Sequence, residues 1–376
     1  LYTNESNNNL IDIKYYMNKN KPTIKKALSY SPILLAAIIF GLTQLFKNKP
    51  TFTETIYSQS IYPITAKLLS VLSFHIPFSL SDTLYIAIIL SILVLIILVC
   101  IKRIKFSYFA KRITQIISLT YSLFYILWGF NYYRVPLDKR IEIENRPANT
   151  EEFIEVFQEV IKHTNNSYTE FDSLNQESLN LDIEKSYERL SDYLGISYSL
   201  NQRRIKNITF SNFFAKATIL GYYGPFFSEV HINKHLSTWD IPIVIAHEKA
   251  HQFGITSEAE ANFYGCMATL NCDNKYANYS AWLFILDYFL YEARNLKDKN
   301  TLTKNIDKSV KEDLISQHKH WMQWRHAKID KITSTVNDAY LKSNNVEKGI
   351  DDYNHIVQLI VNLYYSNKGT KHFFEY

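Results

Sequence analysis

Cysteine is scarce in this 376-residue chain: only Cys100, Cys266 and Cys272 occur, and no two of them form a CxxC pair. That spacing excludes a thiolate zinc site. Cys266 and Cys272 are consistent either with a disulfide in an exported domain or with two buried thiols. The chain also lacks a Gly/Ser-rich linker and an internal repeat. Its formal charge of +5 is modest, and no basic stripe is interleaved with aromatics, which excludes a nucleic-acid partner. The length has room for two or three domains.

Long apolar runs are present. Ala27–Phe46, Thr83–Ile101 and Ile113–Tyr133 hold 20, 19 and 21 residues without a formal charge. Each is long enough to cross ~30 Å of hydrocarbon as a helix. The first has no small-residue cleavage site and is followed by two more, so it reads as an anchor. The third contains Thr, Gln and Ser, but its end, with Tyr125, Trp128, Tyr132 and Tyr133, suits a membrane interface. Lys19, Lys21, Lys25 and Lys26 precede the first span. Lys102, Arg103, Lys105, Lys111 and Arg112 lie between the second and third. The positive-inside rule places both groups in the cytoplasm and everything after Arg134 outside. The expected organisation is a cytoplasmic tail over 1–26, a three-span membrane region over 27–133 and an extracytoplasmic domain over 134–376. Residues 1–16, polar and rich in Asn, read as an upstream extension or tail ahead of Met17. Within the Asn48–Asp82 loop, Ile61–Leu72 is apolar enough to lie in the interface.

The chemistry concentrates at His247-Glu248-Lys249-Ala250-His251. On a helix, residues i and i+4 share one face, so two neutral imidazoles can grip one Zn²⁺ from the same side. Glu248 then stands beside the metal, where a carboxylate can take a proton from a bound water. The flanks predict a helix. Thr238 or Asp240 can cap it, Pro242 is tolerated in its first turn, and Ile241, Val244 and Ile245 form an apolar stripe. Gly254 can stop it by taking positive φ.

A second helix should begin near Ser257 and supply a third ligand. Glu258 and Glu260 are the candidates. Ser257 and Glu260 fit a capping box, which gives Glu260 a structural task and favours Glu258 as ligand. Asn262, one turn beyond Glu258, can hydrogen-bond the outer nitrogen of a ligating histidine.

The rest of the domain reads as mostly helical. Helices are expected at Thr150–Thr164, Asp182–Leu194, Glu258–Asn271, Tyr276–Leu296, Val336–Leu341 and Ile350–Tyr365, and a short strand at Lys206–Ser211. Gly221, Gly224 and Pro225 make a turn, after which Phe227–Asn233 alternates like a strand. Such a strand either holds an extended substrate by backbone pairing or forms a plain hairpin packed on the helix. Trp282, Phe284, Tyr288 and Tyr291 read as core. His318, His320 and His326, beside Trp321 and Trp324, lack the paired carboxylate and read as a solvated helix.

The order of these features resembles a bacterial family of membrane-anchored proteins known only as a domain of unknown function, with gluzincin-like zinc peptidase features. Residues 128–134 (WGFNYYR), 221–233, 247–262 and 336–342 carry the likeness. Glu258-x-x-Ala261-Asn262 is also similar to the glutamate helix of membrane-bound gluzincins. There the fourth position on is acidic, and here it is an amide. The resemblance implies a mainly α protein: transmembrane helices followed by a mostly helical zincin-like domain with a small β-sheet. It also implies a zinc metallopeptidase at the cell membrane acting on peptide or protein. His247, His251 and Glu258 would be the ligands and Glu248 the general base. Tyr223, His231 and Tyr340 are candidates for steadying the oxyanion. The competing readings are a non-hydrolytic zinc-binding membrane sensor or scaffold, and a membrane protein without metal.

Overall fold

The computed structural model describes residues 29–172, 174–199, 203–296, 299–344, 346 and 355–366. The expected tail over 1–26 and the start of the expected helix at Ile350 lie outside the described residues. The chain is mainly α-helical with one three-stranded sheet, and it divides into two compact units.

The first unit comprises Leu1–Leu45 and Ile86–Ile126. Helices Ser29–Lys47 and Leu80–Cys100 are long and apolar enough to cross a membrane. Along the second, Ile89, Leu90, Leu93, Val94 and Ile97 are exposed, so a broad apolar face of this helix is left open. The expected third span is a helix over Phe106–Leu127. It starts earlier than its apolar run, takes in Lys111 and Arg112, and stops at Leu127. Within this unit the Gln115 amide donates to the Ser29 carbonyl, and the Lys111 ammonium lies 4.7 Å from the Tyr30 ring centre.

The second unit comprises Phe46–Tyr85 and Leu127–Tyr376, so it takes in the segment expected as an outer loop. That segment is helical, with a π-helix over Thr53–Ile61 and an α-helix over Tyr62–Phe74. Its Tyr62 and Ala66 are buried while Ile64, Leu68 and Leu72 stay exposed. The piece read as interfacial therefore commits one face to protein. Trp128–Tyr133, read as the end of the third span, does not continue the Phe106–Leu127 helix. Gly129–Tyr133 is a 3-10 turn, and Trp128, Phe130 and Asn131 are buried.

Caps set the helix starts. Asn149 forms a capping box with Glu152 and opens Thr150–Ser167 at the expected first residue. Asn175 accepts from two backbone amides and opens Gln176–Leu194, well before Asp182. The sheet runs β1 (Ile205–Asn207), β3 (Glu229–Ile232), β2 (Gly221–Gly224) in space. β1 is parallel to β3 and β2 antiparallel, with Tyr222 opposite His231. The strand expected at Phe227–Asn233 is thus the central one, and β1 and β2 are the edges.

The motif helix runs Asp240–Gln252 and is almost wholly buried, with Ile241, Val244 and Ile245 in the core. Neither Thr238 nor Asp240 caps it. The Asp240 carboxylate instead accepts from Ser237 Oγ, Gln317 Nε2 and Trp321 Nε1. The last two come from helix Lys308–Trp324, which was expected to be solvated. His320 Nε2 also lies 2.7 Å from the His235 carbonyl oxygen, and Trp324 packs on the His235 ring at 4.0 Å. Gly254 ends the motif helix at φ +83°. Helix Glu258–Leu270 follows and lies against it, with Ser257 accepting from Glu260 N. The Glu260 carboxylate does not close the capping box. It accepts from Leu137 N and pairs with Arg140. Cys266 and Cys272 are buried free thiols, which settles the two alternatives.

Candidate metal centre

Two imidazoles and one carboxylate converge between the motif helix and the helix that follows it. His247 Nε2 and His251 Nε2 are 3.1 Å apart. Glu258 Oε2 lies 3.2 Å from the first and 3.4 Å from the second. Ligands bound about 2.0 Å from a tetrahedral ion stand about 3.3 Å from one another, so the three donors already have the separations that one ion would impose. Together they form a group that could hold a metal ion.

The outer nitrogens fix which face of each ring is turned inward. His251 Nδ1 lies 2.7 Å from the Ile255 carbonyl oxygen, which can only accept. That nitrogen therefore carries the proton, and Nε2 of the neutral ring presents a lone pair. His247 Nδ1 lies 2.7 Å from Asn262 Oδ1, and Asn262 Nδ2 donates to the Tyr288 hydroxyl, which sets the amide's orientation. Two lone pairs and a carboxylate then face one point, an arrangement that repels itself unless positive charge sits there. A proton can meet that demand in place of an ion. Burial disfavours charge on His251, yet the Glu258 carboxylate outweighs it and lifts the imidazole to about 9. Against burial, the same histidines hold Glu258 well below the usual carboxylate range. Glu260, the alternative ligand, is committed to Arg140 and Leu137. The donor set fits a divalent ion, and the described geometry leaves the identity of that ion to chemistry.

Glu248 stands beside this cluster without joining it. It is 5% exposed, and among the described residues nothing hydrogen-bonds its buried Oε2. Burial pushes its carboxyl up from the ordinary value. Room for it comes from Gly221: a Cβ there would lie 2.7 Å from Glu248 Oε1 and 2.8 Å from the His231 carbonyl oxygen. β2 can pass over the carboxylate only because residue 221 has no side chain.

A cavity of about 850 Å³ opens onto the cluster. Tyr223 and Tyr340, two of the three expected hydroxyl or imidazole donors, line it. Tyr223 Oη is 3.2 Å from Tyr62 Oη, and burial pushes its phenol up to about 12, so it keeps its proton at neutral pH. Tyr340 Oη accepts from Tyr132 Oη at 3.1 Å. The third candidate, His231, does not reach the cavity lining. Its side chain is wholly buried, Nε2 lies 2.8 Å from Ser79 Oγ, and its ring stacks on Tyr222 at 4.3 Å. Phe284 and Tyr288, expected in the core, line the cavity, while Trp282 is buried and Tyr291 exposed.

No sequence signal marked the groups that hold the motif helix from its C-terminal end. A helix end leaves carbonyls without partners. Here Trp128 Nε1 donates to the His251 carbonyl, Tyr62 Oη to that of Gln252 and Arg134 Nη1 to that of Gly254. Behind β3, Glu229 accepts from Leu80 N and Ser81 N and pairs with Lys206. Lys249, inside the motif itself, is buried against Glu184, which also takes Arg203.

Fold and site together define a mainly α protein with a His-His-Glu group able to hold a metal ion. The chain belongs to the family described as Protein of unknown function (DUF3810), whose model matches residues 57–361. No curated protein and no solved structure matches the chain.

Proposed function

We propose that this chain is a membrane-anchored zinc metallopeptidase with its site on the extracytoplasmic side. The observation that carries the reading is the buried Glu248 carboxylate, whose Oε2 has no hydrogen-bond partner among the described residues, beside three converging donors. A site that used metal only to stabilise the fold would have no use for an uncommitted base, which weighs against a sensor or scaffold. Zinc bound by His247, His251 and Glu258 would supply Lewis acidity and lower the pKa of a water. The chain's own groups do the remainder. Glu248 accepts a proton from the attacking water and passes it to the leaving amine. The raised pKa of its carboxyl makes it a stronger base towards that water. Tyr223 and Tyr340 hydroxyls offer hydrogen bonds to a developing oxyanion. β2 offers a free strand edge for an extended peptide. Two apolar helices, a third over Phe106–Leu127 and the basic residues 102–112 support the membrane placement and the orientation.

Elemental analysis of the purified full chain, with peptide hydrolysis by the parent and by Glu248→Gln, tests the reading. We expect about one zinc per chain in both proteins and hydrolysis only in the parent. Absence of metal, or cleavage by Glu248→Gln at the parental rate, would overturn it.

A further inference from the structure

The ionisable groups lining the cavity are His247, His251, Glu258 and Glu248, with tyrosine hydroxyls; among the described residues no Lys, Arg or Asp lines it. Its polar side chains besides these, Thr218, Thr256, Asn262, Thr333, Ser334 and Asn337, are neutral. Much of the rest is apolar or aromatic, including Trp128, Ile243, Val244, Phe284, Ile332 and Val336. Ile332 and Val336 stand one turn apart on helix Ala327–Ser343 and are each 64% exposed, large apolar side chains left open at the wall of a site. Gly221, Tyr222 and Tyr223 of β2 line the same cavity, and β2 is an edge of the sheet, paired to β3 alone.

We infer, building on the hydrolase reading above, that the substrate is an internal, extended and uncharged apolar stretch of polypeptide, cleaved away from either terminus. The edge of β2 can pair with a backbone only if that backbone is extended. The wall rewards apolar side chains by removing them from water. A peptide terminus is charged at neutral pH, as are Lys, Arg, Asp and Glu side chains. The cavity offers such a charge no partner that the hydrolytic machinery has not already taken, and an unpaired charge taken out of water is strongly disfavoured. An enzyme trimming residues from chain ends needs a counter-charge for the end, and a trypsin-like preference needs one for the side chain. The wall supplies neither.

The test uses the full chain in detergent micelles, loaded with zinc, and internally quenched peptides of equal length. One peptide has blocked ends and an apolar centre. A second has Lys or Asp beside the central bond, and a third places a free terminus next to the scissile bond. We expect kcat/KM for the first to exceed both others by about 100-fold, the scale on which a site rejects a group it leaves unpaired. Val336→Arg, at an open position, should raise kcat/KM for the Asp peptide about 10-fold, as a new ion pair in a sheltered site would. Hydrolysis that disappears in Glu248→Gln but favours charged or free-ended peptides would overturn the inference and leave the hydrolase reading standing. No hydrolysis of any peptide would overturn the hydrolase reading. Fluorescence anisotropy of the labelled peptides on the Glu248→Gln chain then decides: preference for the apolar peptide supports the inference, and equal or reversed preference overturns it.

Discussion

Gly221 and Glu248 are matched to each other: the strand bearing Gly221 runs so close over the carboxylate that one methyl group would fall 2.7 Å from Oε1. Gly221→Ala should push the carboxylate aside and spare the three donors. Displacement of a catalytic group by about 1 Å can lower turnover about 100-fold. Steady-state hydrolysis should fall by that order while zinc content, measured on the same preparation, is retained. Parental turnover in Gly221→Ala would mean that the carboxylate's position does not matter.

Asn262 accepts from His247 Nδ1 at 2.7 Å. Removal of such an outer partner typically weakens metal binding about 10- to 100-fold. Asn262→Ala should show this loss in competition with a chromogenic chelator. Asn262→Asp, which keeps the acceptor and adds charge, should bind at least as tightly as the parent. Equal affinities for the Ala variant and the parent would contradict the orienting role.

Glu229 is buried, and burial alone would raise its carboxyl. His231, Lys206 and the Ser81 amide overcome that and bring it from 4.5 down to about 2. The folded state therefore holds the charged form more firmly than the unfolded chain does. The stabilisation is complete above about pH 4.5 and disappears as the pH falls towards about 2. Thermal unfolding across that window should show a steep acid decline in the parent. In Glu229→Gln the melting temperature should be lower at neutral pH and less sensitive to acid. Parallel pH profiles would sink this account.

Lys249 occupies a variable position of the motif, yet its ammonium is buried 2.5 Å from Glu184. Lys249→Ala should cost about 3 kcal/mol, the scale for breaking a buried pair and leaving its partner behind. The loss should appear in denaturant unfolding, with zinc stoichiometry kept. A change below about 0.5 kcal/mol, ordinary for surface substitutions, would show that Arg203 alone suffices for Glu184.

The site was legible where its logic is local. The i,i+4 spacing of His247 and His251, the stop at Gly254, the cap at Ser257 and the step from Glu258 to Asn262 are all set within sixteen residues. Helical geometry carries them from sequence to space. Tyr62 and Trp128 were not legible, because they reach the motif helix across 190 and 123 residues. They also lie in stretches whose apolar character suits lipid and protein interior equally, and hydropathy cannot separate the two. His231 failed for another reason. Alternation puts Glu229 and His231 on one face of β3, but β3 is buried throughout, so period-2 patterning does not say which face looks towards the cavity. The solvated reading of His318, His320 and His326 missed Trp321 because a lone indole donor gives no spacing signature.

The two imidazoles of the cluster are oriented by acceptors of different kinds, and this divides how their strength as ligands could evolve. His247 answers to the side chain of residue 262, so a single codon change can retune it. His251 answers to the Ile255 carbonyl oxygen, which every amino acid at 255 would provide. Natural variation can therefore adjust this centre's grip through one ring only. The other is inherited with the left-handed turn at Gly254 and changes only when that turn does.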